Sequence, residues 1–221
     1  MIKKRKEERK SIMLKVSKTS VMNLENAIRG ARNPLNSWTK SDSFVKDGMF
    51  ELGEQDRILA RRLCRAGSDH RKFIRQIFVS VDILAPIYWW KEYDTYKVGT
   101  VANSTSTMHK IHSKPFELED FSCDHMTPES KKVFGEYLEY LENVRRKFLE
   151  CEDKKDWYDL IQLLPSSYQQ LRTCSLNYEV LIHIYYARKE HKLEEWHTFC
   201  RWVEELPYAK DLILIQDEGE I

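Results

Sequence analysis

Apolar and polar positions follow different periods in different parts of the chain, and the period predicts the element. Ser11 to Ser17, SIMLKVS, alternates and predicts a strand. Ser20 is placed to cap a helix that carries Leu24, Ala27, Ile28 and Ala31 on one face, and Asn33-Pro34 ends it. Residues 35–53 read as a loop rich in Ser, Asp and Asn, anchored by Trp38 and Phe44. A loop of that length is either functional or holds short elements. Glu54 to Ala66 predicts a helix with Ile58, Leu59, Leu63 and Cys64 as its apolar stripe and Gly67 as its stop. Phe73 to Ile83 is β-branched and apolar and predicts a strand. Pro86 suits the first turn of a following helix that runs to about Lys97 and ends at Gly99, with 101–114 irregular. The second half reads as helical. Thr127 caps and Pro128 opens a long amphipathic helix through Phe148. A short helix covers 157–164, another 168–190, and a last one 193–206, stopped by Pro207.

Few strands beside many helices predict an α+β fold: a small antiparallel or mixed sheet flanked by several long helices. The chain divides into a charged tail, residues 1–10, and a single α+β domain, residues 11–221. At 221 residues that domain can bury a substantial core. The formal net charge of +1 excludes a global drive toward nucleic acid or an anionic membrane. No apolar run is long enough to span a bilayer and no signal segment is recognisable, so the expected location is cytoplasmic. Five scattered cysteines without a CxxC pair agree with reduced thiols there.

Chemistry concentrates in Ser80 to Ile111, which holds adjacent tryptophans, several charges and a run of hydroxyls. The chain has no GxSxG, HExxH or phosphate-binding glycine loop. His109 and His112 stand three apart, and metal binding there would need a further Asp or Glu ligand. The aromatics Tyr88, Trp89, Trp90, Tyr93 and Tyr96 either stack a planar ring or pack a core.

The segment from Leu164 to Trp196 resembles the C-terminal signature of the flavin-dependent thymidylate synthases. Leu164-Pro165, Asn177, His183 and Arg188 fall at that family's spacing, and Trp196 follows after a short insertion. On a continuous helix, Asn177 and Arg188 lie about 20° apart, with His183 to one side. The opening stretch fits the same family. Ala85-Pro86-Ile87 precedes its central motif, and the Arg-His-Arg of that motif lands on Thr95-Tyr96-Lys97. Its next Ser lands on Thr100. Its Ser-x-Arg lands on Thr105-Ser106-Thr107, or within Ser106 to Lys110 after a small insertion. His70 matches a histidine the family keeps near the flavin. The departures are sharp, because only Lys97 retains a charge in the Arg-His-Arg triplet and the arginine preceding the Leu-Pro becomes Ile161. Phosphates are gripped by arginine forks, so these losses weaken the family's nucleotide grip.

The resemblance implies FAD as cofactor, a dUMP-like nucleotide substrate, NADPH and methylenetetrahydrofolate as co-substrates, and a homotetramer. It implies that Arg188 polarises and holds the pyrimidine, and that His70, Lys97, Asn177 and His183 face the flavin. It puts Glu92, Thr100, Ser104, Ser106 and Arg188 at the nucleotide. Three readings stand at this point: a divergent flavin-dependent thymidylate synthase, a family-fold protein that has lost the chemistry and binds a nucleotide or partner, or an unrelated helical interaction module.

Overall fold

A computed structural model describes residues 14–215, so the charged tail and the start of the first predicted strand lie outside the described residues. Two compact units are formed, one of residues 14–15, 84–93 and 104–172, the other of residues 16–83, 94–103 and 173–215. The architecture is α+β, as the residue pattern predicts. Strands β1 (Lys15–Met22), β4 (Phe78–Pro86), β5 (Val101–Ser104) and β6 (Gln169–Asn177) form an antiparallel sheet in the order β1-β4-β6-β5. A separate hairpin joins β2 (Phe44–Lys46) to β3 (Met49–Glu51).

The first unit is built on α3 (Ile87–Tyr93), α4 (Pro128–Cys151) and α5 (Lys154–Gln162). Thr127 Oγ1 accepts the Ser130 N–H and Pro128 opens α4, as predicted. Asp153 caps α5 in the same way. Leu138, Leu141 and Val144 of α4 pack with Ile111, Phe121 and Leu160, and the Tyr137 hydroxyl donates to the Leu163 carbonyl. In α3 the aromatic run resolves toward packing, since Trp89, Trp90 and Tyr93 are buried, with Trp89 stacked on Tyr93 at 5.3 Å. Trp90 Nε1 donates to the Gln170 carbonyl at 3.0 Å, and the Arg172 guanidinium lies 4.3 Å from the Trp90 ring.

The second unit holds α1 (Leu24–Ala31), α2 (Glu54–Arg65), α6 (Tyr178–Arg188), α7 (Glu194–Glu204) and α8 (Ala209–Leu212). In α6 the run from Tyr178 to Tyr185 is buried at every position but His183, as for a helix apolar on all sides. α6 packs on α7, and α2 on α8. Asp42, distant in sequence, accepts the Gln55 and Asp56 N–H groups at 2.8 and 3.0 Å and so does the work of an N-cap for α2. Asp56, with its side chain fully buried, accepts from Arg32 Nε at 2.5 Å and from the hydroxyls of Ser41 and Ser43. Burial opposes its charge, but these hydrogen bonds outweigh burial and hold its carboxyl below the usual range.

Several elements differ from those predicted. The first strand covers Lys15–Met22, so Ser20 lies inside β1 and cannot cap α1; Asn23, at φ 72°, precedes α1 without a side-chain cap. The long loop contains two 3-10 turns and the β2–β3 hairpin, whose Asp47-Gly48 turn has φ 51° and 77°. That pair is the I′ turn chemistry of tight hairpins. Lys72–Gln76 is a 3-10 turn, and the strand that follows runs on to Pro86. α3 ends at Tyr93 rather than near Lys97, and the segment read as irregular contains β5. The predicted helix over 168–190 splits into β6 and α6. Cys174 and Leu176 are buried while Thr173 and Ser175 are exposed, a period of two that the helical reading missed.

Two tests follow from these networks. Asp56→Ala strands the buried Arg32 and is expected to cost about 3–5 kcal/mol, read by denaturant titration; a loss below about 1 kcal/mol contradicts this. In the first unit, hydrogen bonds from Arg145 hold Glu142 down to about 2, against an ordinary 4.5. The folded value is the lower one, so this stabilisation is complete above 4.5 and is lost as pH falls toward 2. Glu142→Gln is expected to flatten the pH dependence of stability in that window, and an unchanged slope refutes the assignment.

Candidate functional site

The site belongs to the second unit and starts from a close approach of two backbones. Gly99 has φ 80°, and a Cβ on it would lie 3.0 Å from Val180 Cγ2 and 3.5 Å from Asn177 Nδ2. Only glycine lets this loop lie so near the first turn of α6. Thr100 Oγ1 donates to the Tyr96 carbonyl at 2.6 Å and closes the loop. Opposite, β6 ends at Asn177, whose Oδ1 accepts the Val180 N–H at 3.1 Å and caps α6. Between loop and helix lies a cleft of about 630 Å3, lined by Lys97, Val98, Asn177, Val180, His183 and Arg75 among others. Lys97 and Arg75 are exposed and bring positive charge to it; Val98, 90% exposed, and Val180 bring apolar surface.

One wall of the cleft is Glu179. Its carboxylate accepts both Nε and Nη2 of Arg71, at 2.9 and 3.0 Å, with the two side chains 9% and 6% exposed. His183 Nε2 lies 3.2 Å from Glu179 Oε1, while its ring is largely exposed toward the cleft. The buried pair fixes the carboxylate, and the carboxylate orients the imidazole. Burial foremost, with Arg71 and Glu179 acting in opposite senses, pushes the Cys64 thiol up to about 12, so Cys64 is a packed thiol and not a nucleophile.

Arg188 occupies the far end of α6. Asn177 is the cap and Arg188 the last helical residue, about 16 Å along the axis, so a common face does not bring the two side chains together. Arg188 is instead tied to the cleft loop, its Nε donating to the Tyr96 hydroxyl at 2.8 Å. Its guanidinium lies 5.5 Å from the Tyr96 ring centroid and 4.8 Å from that of Trp196, and these two rings meet edge to face.

Of the residues singled out in the sequence, Lys97, Asn177 and His183 converge on this cleft. Thr100 spends its hydroxyl on the Tyr96 carbonyl. His70 lines a different cleft of the same unit. Glu92, Ser104 and Ser106 belong to the first unit: Glu92 on α3, Ser104 exposed at the end of β5, and Ser106 accepting the Met108 and His109 N–H groups at 3.2 and 2.8 Å. Ser106 there lines a cleft of about 560 Å3 with Lys110 and Lys114. Among the described residues no group of three or more His, Cys, Asp or Glu side chains is placed to hold a metal, so His109 and His112 gain no third ligand. No disulfide joins the cysteines, and no helix of the described residues is long and apolar enough to cross a membrane. Sequence reading missed Arg71, Arg75 and Glu179. The i, i+4 spacing of Glu179 and His183 was the available signal.

No family model and no curated sequence matches the chain. Solved structures do. Thymidylate synthase X (ThyX) from Helicobacter pylori, crystallised with FAD and dUMP, is similar with a TM-score of 0.68 at 18% identity, over 90% of this chain and 97% of that one. A second structure of the Helicobacter pylori flavin-dependent enzyme with FAD and dUMP gives 0.67 at 18%, over 95% and 100%. The UMP/dUMP methylase PolB from Streptomyces cacaoi, bound with 5-Br dUMP, gives 0.59 at 14%, over 90% and 91%. The fold is therefore that of the flavin-dependent thymidylate synthases, in a sequence far diverged from them.

The buried pair yields a test. Arg71→Ala leaves Glu179 charged and unpaired in the interior and is expected to cost about 3–5 kcal/mol, whereas Arg71→Met combined with Glu179→Met recovers most of that loss. Denaturant titration of both variants checks it; a double variant no more stable than Arg71→Ala contradicts the pairing.

Proposed function

We propose that this chain is a divergent flavin-dependent thymidylate synthase-like protein that binds FAD and a dUMP-type nucleotide and transfers a one-carbon unit and hydride to the pyrimidine. The observation that carries this reading is the convergence of Lys97, Asn177 and His183, all flavin-facing by resemblance, on one cleft within that fold. The donor set fits the cofactor. A cation, an amide and an imidazole ring an edge whose apolar part is Val98 and Val180, and a flavin is an acceptor-rich ring carrying phosphates.

When bound and reduced, FAD supplies the hydride, with NADPH as its reductant and methylenetetrahydrofolate as carbon donor. The chain's own residues orient and hold. Lys97 offers a mobile point charge to phosphate in place of the family's forks. Asn177 is half committed to capping, which fixes its side chain and leaves its Nδ2 to donate. His183, held at Glu179 through Nε2, lines the cleft with a largely exposed ring. Arg188 polarises the pyrimidine, oriented by Tyr96 and Trp196. A homotetramer completes the reading, as do a cytoplasmic location and nucleotide positions at Glu92, Thr100, Ser104 and Ser106.

One observation favours a second reading. Arg188 is already engaged by Tyr96 and flanked by Trp196, and the motif's arginines are replaced, as suits a family-fold protein that binds a nucleotide without turning it over. The visible spectrum of the purified protein and calorimetry with dUMP separate these outcomes. The first reading expects flavin absorption and a loss of about tenfold or more in dUMP affinity for Arg188→Ala. A colourless protein that takes up no added FAD overturns it. In that case, dUMP binding that still depends on Arg188 supports the second.

A further inference from the structure

Two arginines stand four residues apart around the Lys72–Gln76 turn and are employed differently. Arg71 is buried and commits its guanidinium to Glu179. Arg75 is exposed, lines the cleft that holds Lys97, and makes no ion pair among the described residues. Its Nη2 donates to the Ser68 carbonyl at 3.2 Å, which directs the side chain and leaves its other N–H groups to a ligand. The base of the side chain is fixed as well. Ile74 and Ile77, which flank it, are fully buried, and the Ile77 carbonyl accepts the Tyr178 N–H at 3.1 Å, which ties the turn to the start of α6. The charge of the cleft is one-sided. Among the described residues the single acid of its lining is Glu179, and Arg71 already neutralises that carboxylate. Arg75 and Lys97 therefore face the cleft as two cations with no acid to share.

The triplet Thr95-Tyr96-Lys97 lacks guanidinium forks, and no motif of the family resemblance falls on Arg75. We propose that the phosphate-gripping fork of this cleft has moved off that loop to Arg75. The guanidinium holds a ligand phosphate from the Lys72–Gln76 turn, and Lys97, on the facing loop, neutralises the charge that remains. A lysine alone attracts phosphate without fixing its direction, and a guanidinium held at one end by Ser68 supplies the direction. Arg75 is thus the residue that makes the cleft select a phosphorylated flavin over a bare one. The inference rests on the flavin reading of the cleft and adds to it the residue that sets this specificity.

FMN and riboflavin form the discriminating probe pair, since they differ by the phosphate alone. Fluorescence titration of the full chain is expected to show FMN bound about tenfold or more tighter than riboflavin. Arg75→Ala is expected to erase that preference, with riboflavin affinity, circular dichroism and melting temperature unchanged. Arg75→Lys keeps the charge without the fork and is expected to recover only part of the preference. Adding Thr95→Arg to Arg75→Ala returns a guanidinium to the same cleft from the facing loop and is expected to restore it. An FMN preference that survives Arg75→Ala overturns the proposal, as does Arg75→Lys equal to the wild type. A double variant no better than Arg75→Ala overturns the relocation of the fork. Failure here is separable from failure of the proposed function. A chain that takes up no flavin sinks both, whereas a chain that takes up FAD but whose FMN preference ignores Arg75 sinks this inference alone.

Discussion

The contact on which the cleft depends is the two-pronged bridge from Arg71 to Glu179. It joins the turn after α2 to the first turn of α6, and both partners are nearly excluded from water. Such a pair gains little over an apolar contact of similar shape, yet it is costly to break from one side, because the remaining charge has nowhere to go. Its value is geometric. Glu179 is held in one orientation, so one oxygen stays within reach of His183 Nε2, and the imidazole faces the cleft from a fixed position. The neighbouring backbone is fixed by separate means, the Tyr178 N–H donating to the Ile77 carbonyl at 3.1 Å and Asn177 capping the helix it opens. Three constraints thus meet within three consecutive residues, Asn177 to Glu179.

Much of the fold was legible where one residue type decides the conformation. Thr127 and Pro128 start α4 because a hydroxyl and a missing N–H suit those two positions and few others. The Asp47-Gly48 pair was equally informative, since two successive positive φ angles call for such residues, but the surrounding polar composition masked it as loop. β6 was hidden for a different reason. Its alternation of buried and exposed residues runs straight into the all-apolar α6, and without the partner strands on both sides the two read as one long helix. The boundary bears on the site, because with Asn177 as the cap and Arg188 as the last residue the two stand at opposite ends of α6, about 16 Å apart along the axis.

The site residues divide along the same line. Lys97, Asn177 and His183 came from family spacing and share a cleft; their partners Arg71 and Glu179 were invisible because the bridge spans 108 positions of sequence. Tyr96 was noted as the residue standing where the family has a histidine. Its bond to Arg188 spans 92 positions, and no local period announces it.

Under the proposed function, that bond bears on how the chain manages without arginines at Thr95 and Lys97. A guanidinium fork recognises phosphate by direction as well as charge, and Lys97 supplies charge without direction. Direction at the pyrimidine comes from Arg188, set by a phenol at its Nε and by two aromatic faces. Tyr96 and Lys97 are adjacent in the chain, so the loop held against α6 by Gly99 carries both the point charge and the group that aims the guanidinium. A shift of this loop would displace both at once, and Thr100, bonded back to the Tyr96 carbonyl, resists that shift. Under the proposed reading, the triplet Thr95-Tyr96-Lys97 replaces several short-range grips by one positioned loop, and ligand recognition would rest on how rigidly Gly99 packs that loop against Val180.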